Sequence, residues 1–207
     1  MAYPTVNAPY GLRPINSVDG KPYAGATRQL PIASTYNTEI FYGDIVAIVD
    51  GGTIAKSGVT NDSTTSAANY TYGVFMGCQY VNGQSQTVQA QYYPGNAAAT
   101  SAIAYVVDDP MAAFQVAVVY ANSVVTTVNQ SIVGVNMAID QGTGDATTGN
   151  SGMGVLVATD NAGNAATLPV RAVAVVPGTE TSAGYVEVVV KLNNPQILRA
   201  TGLDYAA

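Results

Sequence analysis

The sequence predicts an all-β protein: a single compact β-barrel or β-sandwich, tulip- or jelly-roll-like, with an extended N-terminal arm and one short helix. Three observations predict it. Short apolar runs alternate with period two, as half-buried strands do. Gly, Asn and Asp clusters separate those runs and supply turn chemistry. Five prolines (Pro4, Pro9, Pro14, Pro22 and Pro31) punctuate the first 35 residues, too often for a helix or a central strand. At 207 residues one domain buries roughly 70% of the surface its unfolded chain exposes, so it stands without disulfide or metal. Cys78 is the single cysteine. It sits in the apolar run 73–78 and reads as a buried, inert thiol.

Residues 1–35 form a segment of their own, followed by a β-rich body over 36–207. Tyr3, Val6, Tyr10, Leu12, Ile15 and Tyr23 scatter apolar anchors through the segment. Arg13, Lys21 and Arg28 outnumber the single acid Asp19, which makes it locally cationic. Two readings stand: an arm that lies on a partner, or an irregular first segment wrapped over its own core. In the body, strands are expected at 39–49 and 53–56, around the hairpin turn Asp50-Gly51-Gly52, whose residues accept positive φ. Further strands are expected at 72–80, 86–93 and 102–107. A run in which Phe114, Val116, Val118 and Tyr120 share a face comes next, then 153–159, 168–176 and 185–192. In the last of these Val186, Val188, Val190 and Leu192 face inward, and Glu187 and Lys191 face water. The exception is 122–133. There Val125, Val128, Ile132 and Val133 fall near helical spacing, with Asn122 or Ser123 as cap and Gly134 as stop. Residues 60–69 and 141–152 read as polar loops.

Charge excludes several functions. Only 10% of residues are charged, against about 25% in ordinary globular chains, so the surface rests on Ser, Thr, Asn, Gln, Gly and Tyr. Between Lys56 and Arg171 there is no Lys or Arg, and the net charge is -6. Binding to nucleic-acid phosphates has no electrostatic footing. The N-terminus lacks the charged and apolar regions of a signal peptide, and apolar runs are strand-sized rather than membrane-spanning. A soluble chain without membrane partners is therefore expected.

Chemistry is narrowed further by a histidine count of zero. That removes Ser-His-Asp and Cys-His nucleophile sites and the commonest catalytic zinc ligand. Asp108-Asp109-Pro110 is the one adjacent acidic pair. Neighbours on a strand point to opposite faces, so a turn is expected rather than a proton-sharing dyad. Asp140-Gln141-Gly142-Thr143-Gly144-Asp145 resembles a calcium loop in outline but lacks a bidentate Glu and a tandem repeat. Gly51-Gly52 and Gly142-Thr143-Gly144 are followed by no GK[ST] motif. Lys21, Lys56 and Lys191 have no sequence neighbour that would lower their pKa. No catalytic residue, metal or cofactor is expected. A glycosidase working with two carboxylates about 5–10 Å apart is the remote alternative.

Four segments carry a resemblance. They are Asn7-Ala8-Pro9-Tyr10-Gly11-Leu12-Arg13-Pro14, Ile40-Phe41-Tyr42-Gly43-Asp44-Ile45-Val46, Tyr105-Val106-Val107-Asp108-Asp109-Pro110 and Val188-Val189-Val190-Lys191-Leu192-Asn193. Together they resemble small virion proteins of tailed bacteriophages, notably of aquatic phages, of the capsid decoration or cement kind. The resemblance implies a non-enzymatic protein on the outer surface of the capsid, made in the host cytoplasm. It implies contacts that clamp neighbouring major capsid proteins, and a homo-oligomer, trimer or dimer. On that reading the first segment contacts the capsid through Tyr3, Tyr10, Arg13 and Arg28. The 14 tyrosines suit interfaces, since each joins an apolar ring to a polar tip. The alternatives within a virion are a tail-tube, head-tail or receptor-binding component.

Overall fold

The computed structural model describes residues 6–58, 71–95, 99–120, 123–125, 128–157, 162–163, 168–179, 184–193 and 195–198. The described chain is all-β. Its strands are β1 (Arg13–Ser17), β2 (Arg28–Pro31), β3 (Ile45–Val49), β4 (Thr53–Lys56), β5 (Gly73–Val81), β6 (Thr87–Ala90) and β7 (Thr100–Val107). They continue with β8 (Ala112–Tyr120), β9 (Ser123–Val124), β10 (Asn136–Asp140), β11 (Gly154–Leu156), β12 (Ala162–Gly163), β13 (Val170–Val175) and β14 (Glu187–Leu192).

Two sheets organise them. In the first, β8, β11, β10, β13 and β14 follow one another, and β14 pairs back onto β8, closing a five-stranded barrel. Closure removes the unpaired edges that an open sheet presents. The long strand β8 makes this feasible, because its first part pairs with both β1 and β14 and its end with β11 and β9. Its alternation is apolar on both faces. Phe114, Val116 and Val118 enter the barrel core beside Met137, Ile139, Val155, Val170, Val188 and Val190. Ala117 and Val119 face outward into a smaller cluster with Leu156, Leu168 and Tyr185.

The second sheet runs β2-β7-β5-β3-β4, with β6 added on β5. An isolated parallel bridge, Ile32 to Ile54, brings its two ends together around a second core. Ile32, Val46, Ile54, Phe75, Cys78, Ala104 and Val106 fill that core. The two cores meet because Ile45, Val74 and Val107 point the other way, into the barrel cluster. A bulge in β5 between Phe75 and Cys78 makes the switch. There Gly77 takes φ +127, a conformation L side chains rarely adopt. The extra residue lets Phe75 and Cys78 face one core while Met76 packs against the other.

Three expectations need correcting or refining. The short helix at 122–133 is absent from the described residues: Ser123–Val124 is a strand on β8, and a single 3-10 turn spans Gln130–Ile132, capped by Asn129. Val and Thr are poor helix formers, and strand pairing with β8 outweighs the near-helical spacing. Within residues 1–35, the described part is woven into the body. Leu12 is fully buried, β1 pairs with β8, and β2 pairs with β7. Burying a leucine is worth roughly 1.5–3 kcal/mol, comparable to the ~1–2 kcal/mol of ordering one residue's backbone. Several such anchors hold the segment down. Finally, Glu187 does not face water. It is 6% exposed, because residues 6–10 cover that face of β14: the Tyr185 N–H donates to the Val6 carbonyl, and Val6 and Tyr10 pack on the outer cluster.

Candidate functional site

The site begins where the N-terminal segment crosses the body. The Gly11 N–H donates to the Met153 carbonyl and the Leu12 N–H to the Gly43 carbonyl. Gly11 has φ +78, and a Cβ there would press into Ser151 and the Gly43 carbonyl, so only glycine passes. With Leu12 plugged into the core, Tyr10 and Arg13 are fixed on either side of it. The Tyr10 hydroxyl donates to Glu187 Oε1. The Arg13 guanidinium carbon lies 4.3 Å from the centre of the Tyr10 ring, a cation–π stack.

Arg13 then forms one wall of a cleft of about 450 Å³, open to solvent, with Tyr42, Met76, Gln91 and Asn150. Each residue comes from a different segment. Tyr42 precedes β3 and is held by backbone bonds to the Gly149 carbonyl and from the Ser151 N–H. Met76 stands at the bulge of β5. Gln91 follows β6, and its Nε2 donates to Asn150 Oδ1 at 2.9 Å. Gly149, at φ +74, lies flat against the Gln91 side chain, so the amide pair rests on a packed floor.

Beneath the cleft a buried polar cluster ties the segments together. Asp44, with no exposure, accepts from the Phe41 N–H at 2.9 Å and from Ser151 Oγ at 2.6 Å. Lys56 Nζ lies 3.0 Å from Asp44 Oδ2, the oxygen that also accepts from the Phe41 N–H, while Ser151 donates to Oδ1. The Ser151 hydroxyl in turn accepts from the Met153 N–H. Every lone pair engaged here serves the scaffold, and the cluster holds residues 41–44 and 151–153 in register below the opening.

Burial governs the protonation of the phenols around Arg13. Burial, then the hydrogen bond to Glu187, pushes the Tyr10 phenol well above its ordinary range. Burial also raises Tyr42, against a smaller opposing pull from Arg13. Both phenols therefore stay neutral donors at physiological pH. Among the described residues no acidic side chain lies within ion-pair reach of Arg13; the ion pairs there are Lys21–Asp19, Arg28–Asp108 and Lys56–Asp44. The cleft thus offers one guanidinium, a phenol, two carboxamides and a thioether. That set has donors, acceptors and one positive charge with which to meet a polar ligand.

Of the residues expected to contact a partner, Tyr10 and Arg13 come together here. Arg28 does not: it lies on β2 in the second sheet, paired with Asp108, which also accepts from the Tyr72 hydroxyl at 2.9 Å. Tyr3 lies outside the described residues, as do residues 60–69. Asp109 accepts from the Met111 N–H at 2.8 Å in a turn, so the two adjacent acids serve different partners. Tyr42, Met76, Gln91, Asn150 and Glu187 escaped sequence reasoning. They lie far apart in the chain, and nothing in local periodicity joins them. Among the described residues no three His, Cys, Asp or Glu side chains gather into a metal-binding group. Comparisons with protein-family models, curated proteins and solved structures give no match.

Proposed function

We propose that this chain is a structural component of a tailed-phage particle that binds the outside of the head and ties neighbouring major capsid proteins together. The observation that carries the reading is the Tyr10–Arg13 stack: a cation held over an aromatic ring, without an acidic partner among the described residues, on an acidic and lightly charged protein. A pre-ordered anchor loses little entropy on docking. Repetition over a shell lets many weak contacts add by avidity. The segments that resemble decoration proteins supply the address, and a tulip- or jelly-roll-like body and a homo-oligomer belong to the same proposal. Contact through Tyr3, Tyr10, Arg13 and Arg28 also belongs to it, with Arg28 the weaker contributor because Asp108 already neutralises it.

The test uses heads that lack this chain and purified protein added back. Removing residues 1–35 would take out β1, β2 and the Leu12 plug, so point variants are the informative ones. Arg13→Glu is expected to weaken head association at least about tenfold, equivalent to ~1.4 kcal/mol, with the fold unchanged by circular dichroism. Full association of the Arg13→Glu protein would show that the segment does not make the contact.

A further inference from the structure

We infer that the Arg13 cleft is a recognition site for an acidic side chain carried on a peptide segment, an Asp or Glu of the partner protein together with its adjoining backbone. The inference rests on the proposed reading for the partner's identity, but its chemistry stands on the cleft alone. The guanidinium is a planar fork that matches a carboxylate in bidentate geometry. Its position over the Tyr10 ring, 4.3 Å from the ring centre, restrains that fork before any ligand arrives. A single cation suits a monoanion better than a phosphate dianion, which draws on more than one positive group.

The carboxamide pair narrows the class further. Gln91 Nε2 is used in donating to Asn150 Oδ1. That orientation leaves Gln91 Oε1 as an acceptor and Asn150 Nδ2 as a donor at the cleft. An acceptor and a donor together can meet the N–H and C=O of one extended residue, which point to the same side of its chain and need one of each. Met76 offers an apolar, adaptable surface for the methylene stem of the bound side chain. The neutral Tyr42 phenol adds a donor for the carboxylate's second oxygen. A volume of about 450 Å³ falls within the ~300–1,000 Å³ of ordinary ligand sites, and the open mouth lets a chain pass through.

The probe is acetyl-glycyl-glutamyl-glycinamide, compared with its glutaminyl counterpart and with glucuronate. Binding is followed by chemical shifts of the Met76 methyl and the Gln91 and Asn150 side-chain amides. The wild-type chain is expected to show saturable shifts with the glutamyl peptide at millimolar concentration. Affinity should fall at least about tenfold with the glutaminyl peptide, and equally in Arg13→Gln. Equal response to both peptides, no response to either, or binding retained in Arg13→Gln would overturn the inference. A larger response to glucuronate would assign the cleft to an acidic sugar and overturn it too. Applied to heads, the same proteins separate the two claims. A chain that binds the glutamyl peptide but not heads overturns the proposed function alone. A chain that binds heads without responding to the peptide overturns the cleft assignment alone.

Discussion

Asp44 shows how much a single buried acid can organise. Its carboxylate receives the Phe41 N–H, the Ser151 hydroxyl and the Lys56 ammonium, from three separate parts of the chain. Removing one partner of a buried ion pair leaves the other uncompensated, typically a loss of about 3–5 kcal/mol. Asp44→Ala is therefore expected to lower stability by about that amount in urea unfolding. Lys56→Met should cost less, because two donors still satisfy the carboxylate. Equal losses, or the reverse order, would mean that the Lys56 ammonium, rather than the two hydrogen-bond donors, sustains the buried carboxylate. The sequence gives Asp44 no special signal: it sits among Tyr42, Gly43 and Ile45, and its partners lie 3, 12 and 107 residues away. Glu187 was misplaced for a related reason. Alternation correctly separates it from Val186 and Val188, but which face meets water depends on the segment at 6–10 lying across it.

At the scale of the element, most strands were legible because alternation and turn chemistry agree. β4 and the turn before it match closely, with Gly51 and Gly52 both at positive φ, while β3 covers only Ile45–Val49 of the run expected at 39–49. The loop at 141–152 shows what pattern reading leaves out. It looks featureless in sequence, yet Gly142 has φ +54 and a Cβ there would overlap the Gly152 carbonyl, while a Cβ on Gly144 would overlap the Phe41 ring. Asp145 shapes the next turn by accepting from the Thr147 N–H and the Thr148 hydroxyl. This loop carries Asn150 to the cleft, so its shape sets part of the site. Gly142→Ala is expected to destabilise by about 2 kcal/mol or more, from backbone strain plus displacement of the facing Gly152 backbone. It should also move the Asn150 amide resonance. A neutral Gly142→Ala would show that the loop tolerates another path. The helix expected at 122–133 failed on the opposite count, where local spacing was present and strand pairing prevailed.

For the whole molecule, two sheets share one interior, since Ile45, Val74 and Val107 of the second sheet complete the barrel core. Buried acidic hydrogens then couple that interior to alkaline pH. Burial pushes the Cys78 thiol from its ordinary 9.0 up to about 12. Burial, followed by the hydrogen bond to Asp108, pushes Tyr72 from 10.0 up to about 12. The folded state keeps protons that the unfolded state releases, so the stability tied to these groups is whole below about pH 9. It declines as pH rises toward 12. Melting temperature is expected to be level from pH 7 to 8.5 and to fall above ~9, more gently in Cys78→Ala; a flat profile to pH 11 would contradict the burial of these groups. The all-β class was readable from the sequence at this scale, but the closure of β8 through β14 was not, because alternation alone does not say which strands meet. Nor does it say that Tyr10 and Arg13 converge with Gln91 and Asn150. The most direct test of the central claim is to locate this chain on intact particles by electron microscopy and count its copies against the major capsid protein. The account predicts density on the outer face of the head, in many copies, with the Tyr10–Arg13 face against capsid subunits. Density confined to the tail, to the head interior, or missing from the particle would contradict it.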